Sequence, residues 1–198
     1  MAAAGGRRGL VTGGAGFVGR WLLARLAADG WQVTATALRA PGEDDPPAHG
    51  RLPDVPADVR WALGAARDPA HLEAALDASA PDVVFHLAGV TFVPQAAADP
   101  GLAVEVNVAA SARLLGALSR RHAAGTLDPV VVVAGSAEQY GRHDASALPL
   151  RETAEQRPHT VSAATKVAQE ALALQAWRAG GLRVVCTRSF NHSGPGQH

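Results

Sequence analysis

Gly13, Gly16 and Gly19 recur every three residues in the string Thr12-Gly13-Gly14-Ala15-Gly16-Phe17-Val18-Gly19, between a short apolar run and a helical pattern. Strand, glycine loop and helix in that order suit a pyrophosphate. Gly13 permits the tight turn, Gly16 lets main chain approach the phosphate oxygens, and Gly19 lets the helix lie close on the strand. The amides that open the helix, at Phe17 and Val18, then meet the negative charge. The plainer reading is a strand-to-helix turn without a ligand, but a turn alone does not need all three glycines. Arg39 lies 20 residues beyond Gly19, at the end of a second strand that reads Thr36-Ala37-Leu38-Arg39. Dinucleotide folds place an acid there for the adenosine ribose hydroxyls. A planar guanidinium instead pairs with a 2′-phosphate, which favours NADP, with NAD possible; the alternative is an ordinary solvated arginine. Glu138 follows the apolar run 130–134, at the carboxyl end of a central strand, where open sheets bind ligands.

The elements that must position these residues alternate along the chain. Short apolar runs at 8–12, 32–38, 59–63, 83–87, 130–134 and 183–188 read as six strands. Helical patterns occupy 16–29, 69–79, about 98–122 and about 159–180. Val83–Phe85 and Val131–Val133 are apolar without alternation, as expected of strands covered on both faces. Gly30 and the Gly180–Gly181 pair are C-terminal stops, and 41–56, rich in Pro, Asp and Gly, is a loop. Alternating strands and helices imply an α/β fold, a doubly wound parallel sheet.

With 198 residues, 47% hydrophobic and 18% charged, the chain can bury one core. Formal net charge is zero and the basic residues are scattered, so no nucleic-acid partner is expected. The apolar runs are strand-sized, so no membrane span is expected, and the opening MAAAGGRRGL lacks a signal-peptide core. A single cysteine, Cys186, cannot form an internal disulfide and reads as a small buried strand residue. A cytoplasmic location follows as an expectation, and no metal site is expected.

Together the motifs resemble the extended short-chain dehydrogenase/reductases, within the NAD-dependent epimerase/dehydratase family. The glycine string is similar to that family's Gly-x-x-Gly-x-x-Gly loop, and His86-Leu87-Ala88-Gly89 to its turn after the fourth strand. Ser136-Ala137-Glu138-Gln139-Tyr140-Gly141 resembles its S-x-E-x-Y-G motif, and Asn107 its structural asparagine. Arg188-Ser189-Phe190-Asn191-His192-Ser193-Gly194-Pro195-Gly196-Gln197 resembles the RxFNHTGPGQ string of GDP-4-keto-6-deoxy-mannose reductases and GDP-mannose 4,6-dehydratases. The resemblance implies a Rossmann fold, with Leu87, Ala88 and Lys166 beside the nicotinamide ribose. It also implies Ser136 on the sugar 4-oxygen, Glu138 as the base at C5 if the reaction is a dehydration, and Asn191 and His192 on the substrate. His86 reads equally well as a satisfied polar residue at a strand end.

One residue of the family pattern is missing. The chemistry uses Tyr-x-x-x-Lys on one helix, where the lysine lowers the phenol pKa and the phenol exchanges a proton with the sugar oxygen. Here the segment is Val161-Ser162-Ala163-Ala164-Thr165-Lys166, so Ser162 stands in the tyrosine's place. The one tyrosine, Tyr140, already belongs to another motif. His159 would share a helical face with Ser162 and Lys166 if the helix began there; the plainer reading is a first-turn surface residue. Gly64-Ala65-Ala66-Arg67-Asp68 departs from the Asp-Leu that the family often has near the adenine. The chain closes on Gly194-Pro195-Gly196-Gln197-His198, so the substrate-binding segment that follows this string in the family is expected to be truncated or absent.

Two functions follow from the resemblance. One, with a homodimer expected under either, is an NAD(P)-dependent nucleotide-sugar 4-keto reductase or 4,6-dehydratase acting by hydride transfer on a GDP-linked sugar, impaired by Ser162. The other is a dinucleotide-binding pseudoenzyme or fragment with a structural or regulatory role.

Overall fold

The computed structural model describes residues 6–41 and 52–197. The opening segment before Gly6, residues 42–51 of the expected loop and His198 lie outside the described residues. The strands are β1 (Arg8–Thr12), β2 (Gln32–Ala37), β3 (Arg60–Leu63), β4 (Val83–His86), β5 (Val130–Ala134) and β6 (Val184–Thr187). They form one parallel sheet in the order β3-β2-β1-β4-β5-β6. Strand order reverses direction between β1 and β4, which is where doubly wound sheets open a crevice at the strands' carboxyl ends. Register aligns Thr12 with both Thr36 and His86, and His86 with Val133, so these four residues lie side by side at that edge.

The helices are α1 (Phe17–Ala28), α2 (Pro69–Ser79), α3 (Val93–Ala98), α4 (Pro100–Val104), α5 (Ala110–Ala123) and α6 (Val161–Gly180). A π-helical turn, Glu105–Ala109, joins α4 to α5. One face of the sheet packs Leu10, Val84, Val131 and Val133 against Leu72 and Leu76 of α2, Leu114 and Leu118 of α5, and Ala173 of α6. The other packs Val11, Val33 and Ala35 against Leu23 and Leu26 of α1. Leu10 and Val11 thus point to opposite layers, as neighbouring strand residues must.

Several expectations need adjustment. β4 and β5 alternate in burial: Val84, Val131 and Val133 are buried, whereas Val83, Phe85, Val130 and Val132 are half-buried. Among the described residues the second face is covered by one helix, α1, and by Val55 and Val59 of the segment before β3. The helix expected over 98–122 begins at Val93, breaks at Asp99-Pro100 and contains the π turn. Pro100 removes a backbone donor, and the Asp99 side chain caps the restart by accepting from Leu102 N. The stretch Pro100–Ala123 is long and apolar enough by length and composition to cross a membrane, contrary to the strand-sized runs expected; here it lies between α2 and α6 with Leu114, Leu115 and Leu118 buried. α6 starts at Val161, after Thr160, whose hydroxyl accepts from Ala163 N at 3.1 Å. His159 therefore lies outside the helix and is exposed, so it shares no helical face with Ser162 and Lys166.

Candidate active site

β1 ends at Thr12, and the chain turns at Gly13, whose φ of 73° requires glycine. A Cβ at Gly19 would lie 2.4 Å from Gly13 O, so the helix can sit this close only without a side chain. At Gly16 an added Cβ meets nothing nearer than 3.4 Å, so the protein itself leaves room there. The first bond into α1 runs from Arg20 N to Gly16 O. Among the described residues the amides of Phe17, Val18 and Gly19 therefore have no main-chain acceptor, and no acidic residue occupies the first turn. Unpaired amides at a helix start, beside an open glycine, make a cradle for an anion.

A cavity of about 560 Å³ runs from this cradle. Its lining includes Gly13, Gly16 and Phe17, then Leu38 and Arg39 beyond β2, then Ala65 and Arg67 beyond β3, and finally Ala88, Gly89 and Val90 beyond β4. Among the described lining residues there is no Asp or Glu, and two are arginines. Arg67 is half-exposed and paired with Glu105 at 3.0 Å, while Asp68 turns away to cap α2 by accepting from Ala70 N. Val18, Leu87 and Lys166 lie outside the lining. Leu87 is half-buried and packs against the core cluster of Val11, Leu23 and Val33, which leaves its main chain as the part able to serve a ligand.

Beyond Gly89 the polar groups are buried and mutually bonded. Asn107, turned inward by the π turn, accepts from Val90 N at 2.7 Å and donates to Val90 O at 3.0 Å and to Thr165 Oγ1 at 2.9 Å. Thr165 in turn donates to the main-chain oxygen of Ser162. Lys166 is 4% exposed; its ammonium donates to Ala134 O at 2.7 Å and to Gln169 Oε1 at 2.9 Å. Burial pushes this amine down to about 8. A Cβ on Gly89 would lie 2.9 Å from Asn107 Oδ1 and 3.5 Å from Lys166 Nζ, so glycine there keeps the cavity's end open towards the amine. His86, buried between Thr12 Oγ1 and Ser111 Oγ, is held neutral, its pKa pushed down to about 3 by burial and then by the nearby ammonium.

After β5, Ser136 opens a short 3₁₀ turn: its hydroxyl oxygen accepts from Glu138 N at 3.2 Å, and its own amide donates to Gln139 Oε1 at 2.8 Å. Glu138 is exposed, as are Asn191 and His192 beyond β6. Gln139 Nε2 donates to Glu170 on α6, which also takes both arms of the Arg188 guanidinium and Gln156. This buried pair ties the Ser136 loop to the segment carrying Asn191, and Arg188 holds the Glu170 carboxyl below its ordinary range.

The model of the NAD dependent epimerase/dehydratase family matches residues 9–198. The chain belongs to that family. It is 36% identical to the GDP-6-deoxy-D-mannose reductase of Pseudomonas aeruginosa over 96% of this chain and 54% of the relative. Its fold matches the UDP-glucose 4-epimerase of Thermus thermophilus in complex with NAD, with a TM-score of 0.78 and 30% identity, covering 91% of this chain and 54% of that one. It also matches RMD from Pseudomonas aeruginosa complexed with NADPH, with a TM-score of 0.74 and 31% identity, covering 96% of this chain and 56% of that one. The chain spans about half the length of the curated relatives it matches.

For an epimerase/dehydratase family member the notable position is Ser162. It is buried on the first turn of α6, and its main-chain oxygen accepts from Thr165 Oγ1. Tyr140 offers no substitute, because its buried ring lies under the Arg188 guanidinium, 4.8 Å from centroid to carbon. Cys186 is half-buried with its thiol pushed up to about 11 by burial, consistent with a structural strand residue. The motifs do not mark Ser111, Gln169 or Glu170, and they mark Arg188 only as the first residue of its string, without its partner. One signal in the sequence bears on Lys166: it is the chain's single lysine, the other basic side chains of this class all being arginine.

Proposed function

We propose that the chain binds a nicotinamide dinucleotide and serves oxidoreduction at a nucleotide sugar, with a GDP-linked 4-keto sugar as the substrate class. The observation that carries this is the cavity leading from the unpaired amides of α1 to Gly89, beside the buried ammonium of Lys166. Its size lies within the range of small-molecule sites. The amides of Phe17 and Val18 would hold the pyrophosphate, and Lys166 a ribose hydroxyl. Arg39, in a lining without acids among the described residues, favours a 2′-phosphate and so NADP over NAD. When bound, the nicotinamide supplies or accepts the hydride. Ser136 would donate its hydroxyl proton to the sugar oxygen, and Glu138 would serve as base at C5 if the reaction is a dehydration. Similarity to a GDP-6-deoxy-D-mannose reductase favours reduction. A homodimer across the α5 and α6 face belongs to the same reading; light scattering that returns a monomer mass would remove it.

A second reading, cofactor binding without turnover, is favoured by Ser162. A serine hydroxyl is far less acidic than a phenol and shorter by a ring. The deciding experiment is fluorescence titration with NADPH and NADH, followed by addition of GDP-4-keto-6-deoxymannose while the absorbance of the reduced nicotinamide is recorded. Binding with oxidation supports the reductase. Binding without oxidation, with turnover gained in a Ser162→Tyr variant, supports the inactive binder. Absence of binding by either dinucleotide defeats both.

A further inference from the structure

The hydrogen-bond chain beneath Lys166 has a direction, and Ser111 sets it. Ser111 Oγ lies 2.6 Å from the main-chain oxygen of Asn107, 2.7 Å from Gln169 Nε2 and 2.7 Å from His86 Nε2. A carbonyl oxygen only accepts, so the hydroxyl proton goes to Asn107 and the hydroxyl oxygen accepts from the other two. His86 therefore carries its proton on Nε2, and its Nδ1 accepts from Thr12 Oγ1, which itself accepts from Ala88 N. Gln169 must likewise turn its NH₂ towards Ser111, which turns Oε1 onto the Lys166 ammonium. A flipped amide would set NH₂ against the ammonium and an oxygen against a hydroxyl whose proton is already committed. Ser111, Gln169, His86 and Lys166 are all buried, so water is poorly placed to repair the mismatch.

We propose that Ser111 is a positioning residue for Lys166: by accepting from Gln169 it locks that amide in the orientation that holds the ammonium between Ala134 O and Gln169 Oε1. The inference rests on Lys166 as the group presented to the cofactor. The ionisable groups of the surrounding elements do not supply an alternative anchor. His86 on β4 is neutral, and Glu170 on α6 is paired with Arg188 from beyond β6. Among the described residues no carboxylate reaches the ammonium.

A single lysine makes the test direct. Protein labelled with ¹³Cε-lysine gives one side-chain signal, and its shift against pH reports the amine's midpoint without assignment by mutation. The wild-type midpoint is expected near 8. Ser111→Ala is expected to lower it by about one pH unit or more, because the ammonium loses a charge-assisted acceptor. Gln169→Met is expected to do the same, and the double variant to go no further than either. Ser111→Thr, which keeps the hydroxyl, is expected to restore the wild-type midpoint. An unmoved midpoint in Ser111→Ala overturns the proposal, as does an additive double variant. If Ser111→Ala fails to fold, Gln169→Met and Ser111→Thr decide: an unmoved midpoint in the first, or a lowered one in the second, also overturns it. NADPH titration of the unmutated protein is separate. Failure to bind defeats the cofactor reading of Lys166, while the midpoint still tests Ser111.

Discussion

Gly16 and Gly19 are equivalent as letters in a motif but not as positions in space. A Cβ at Gly19 would meet Gly13 O at 2.4 Å and Gly14 O at 2.7 Å, both main chain and unable to swing aside. Gly19→Ala is expected to destabilise the chain by about 1–3 kcal/mol, read as a lower denaturation midpoint. At Gly16 the nearest atom is 3.4 Å away. Gly16→Ala should therefore leave the midpoint nearly unchanged and weaken dinucleotide binding, because the methyl occupies the approach to the α1 amides. Equal loss of stability in the two variants would contradict the cradle. Arg39 gives a second contrast. Removing a charge-assisted pair with a 2′-phosphate costs roughly 1.5–3 kcal/mol, about tenfold to a hundredfold in affinity. Arg39→Ala should thus weaken NADPH by that factor and leave NADH unchanged, in paired fluorescence titrations. Loss of both in equal measure would make Arg39 a general contact.

α6 organises two sides of the site from one helix. Lys166 lies on the side of the proposed cofactor, and Glu170, one turn on, gathers Gln139, Gln156 and Arg188 on the other. Removing one partner of a buried pair strands the other charge, at a cost of roughly 3–5 kcal/mol. Arg188→Met should show that loss in denaturant titrations; a change below about 1 kcal/mol would mean that the pair is solvated. The strands and the glycine loop were legible because apolar runs and spaced glycines act over a few residues. The start of α6 was nearly legible, displaced by the two residues that precede the Val161 amide because Thr160 is a cap and not a helical residue. α3 escaped because Gln95-Ala96-Ala97-Ala98 carries no amphipathic rhythm, and the π turn because the bond it accompanies, from Val90 N to Asn107 Oδ1, joins residues 17 apart. Leu87, placed by its motif beside the ribose, spends its side chain on the core. Ser111 and Gln169 stand 58 residues apart, and nothing local announces that they meet.

On the scale of the whole molecule, burial of ionisable groups ties stability to pH. Folding lowers the pKa of His86 from 6.5 to about 3, so the folded chain binds fewer protons than the unfolded chain between those values. Stability from this group is full above pH 6.5 and falls as pH drops through the window, by up to about 1.4 kcal/mol per unit. Glu170, also lowered by Arg188, adds a loss of the same sign as pH falls below its ordinary value of 4.5. Unfolding free energies measured at pH 7, 6 and 5 should decline, and His86→Gln should flatten that decline; an unchanged slope would mean that His86 is protonated in the fold. Dinucleotide binding acts in the opposite direction. At about a hundred times its dissociation constant, a ligand of the folded state adds about 2.7 kcal/mol, roughly 5–10 °C in a chain of this size. A melting temperature unmoved by saturating NADPH would leave the cavity without its proposed ligand.

The single lysine also gives the chain one cleavage site for a lysine-specific endopeptidase, and that site lies inside a buried helix turn. While α6 is intact the bond after Lys166 is out of reach of any protease. When α6 opens, one cut separates 1–166 from 167–198 and parts the amine from Glu170, Arg188 and the Asn191 segment together. Digestion should therefore run as a single step with two products and no ladder, its rate set by how often α6 opens. A bound dinucleotide that steadies Lys166 would be seen as a slower clock, with no catalytic assay needed.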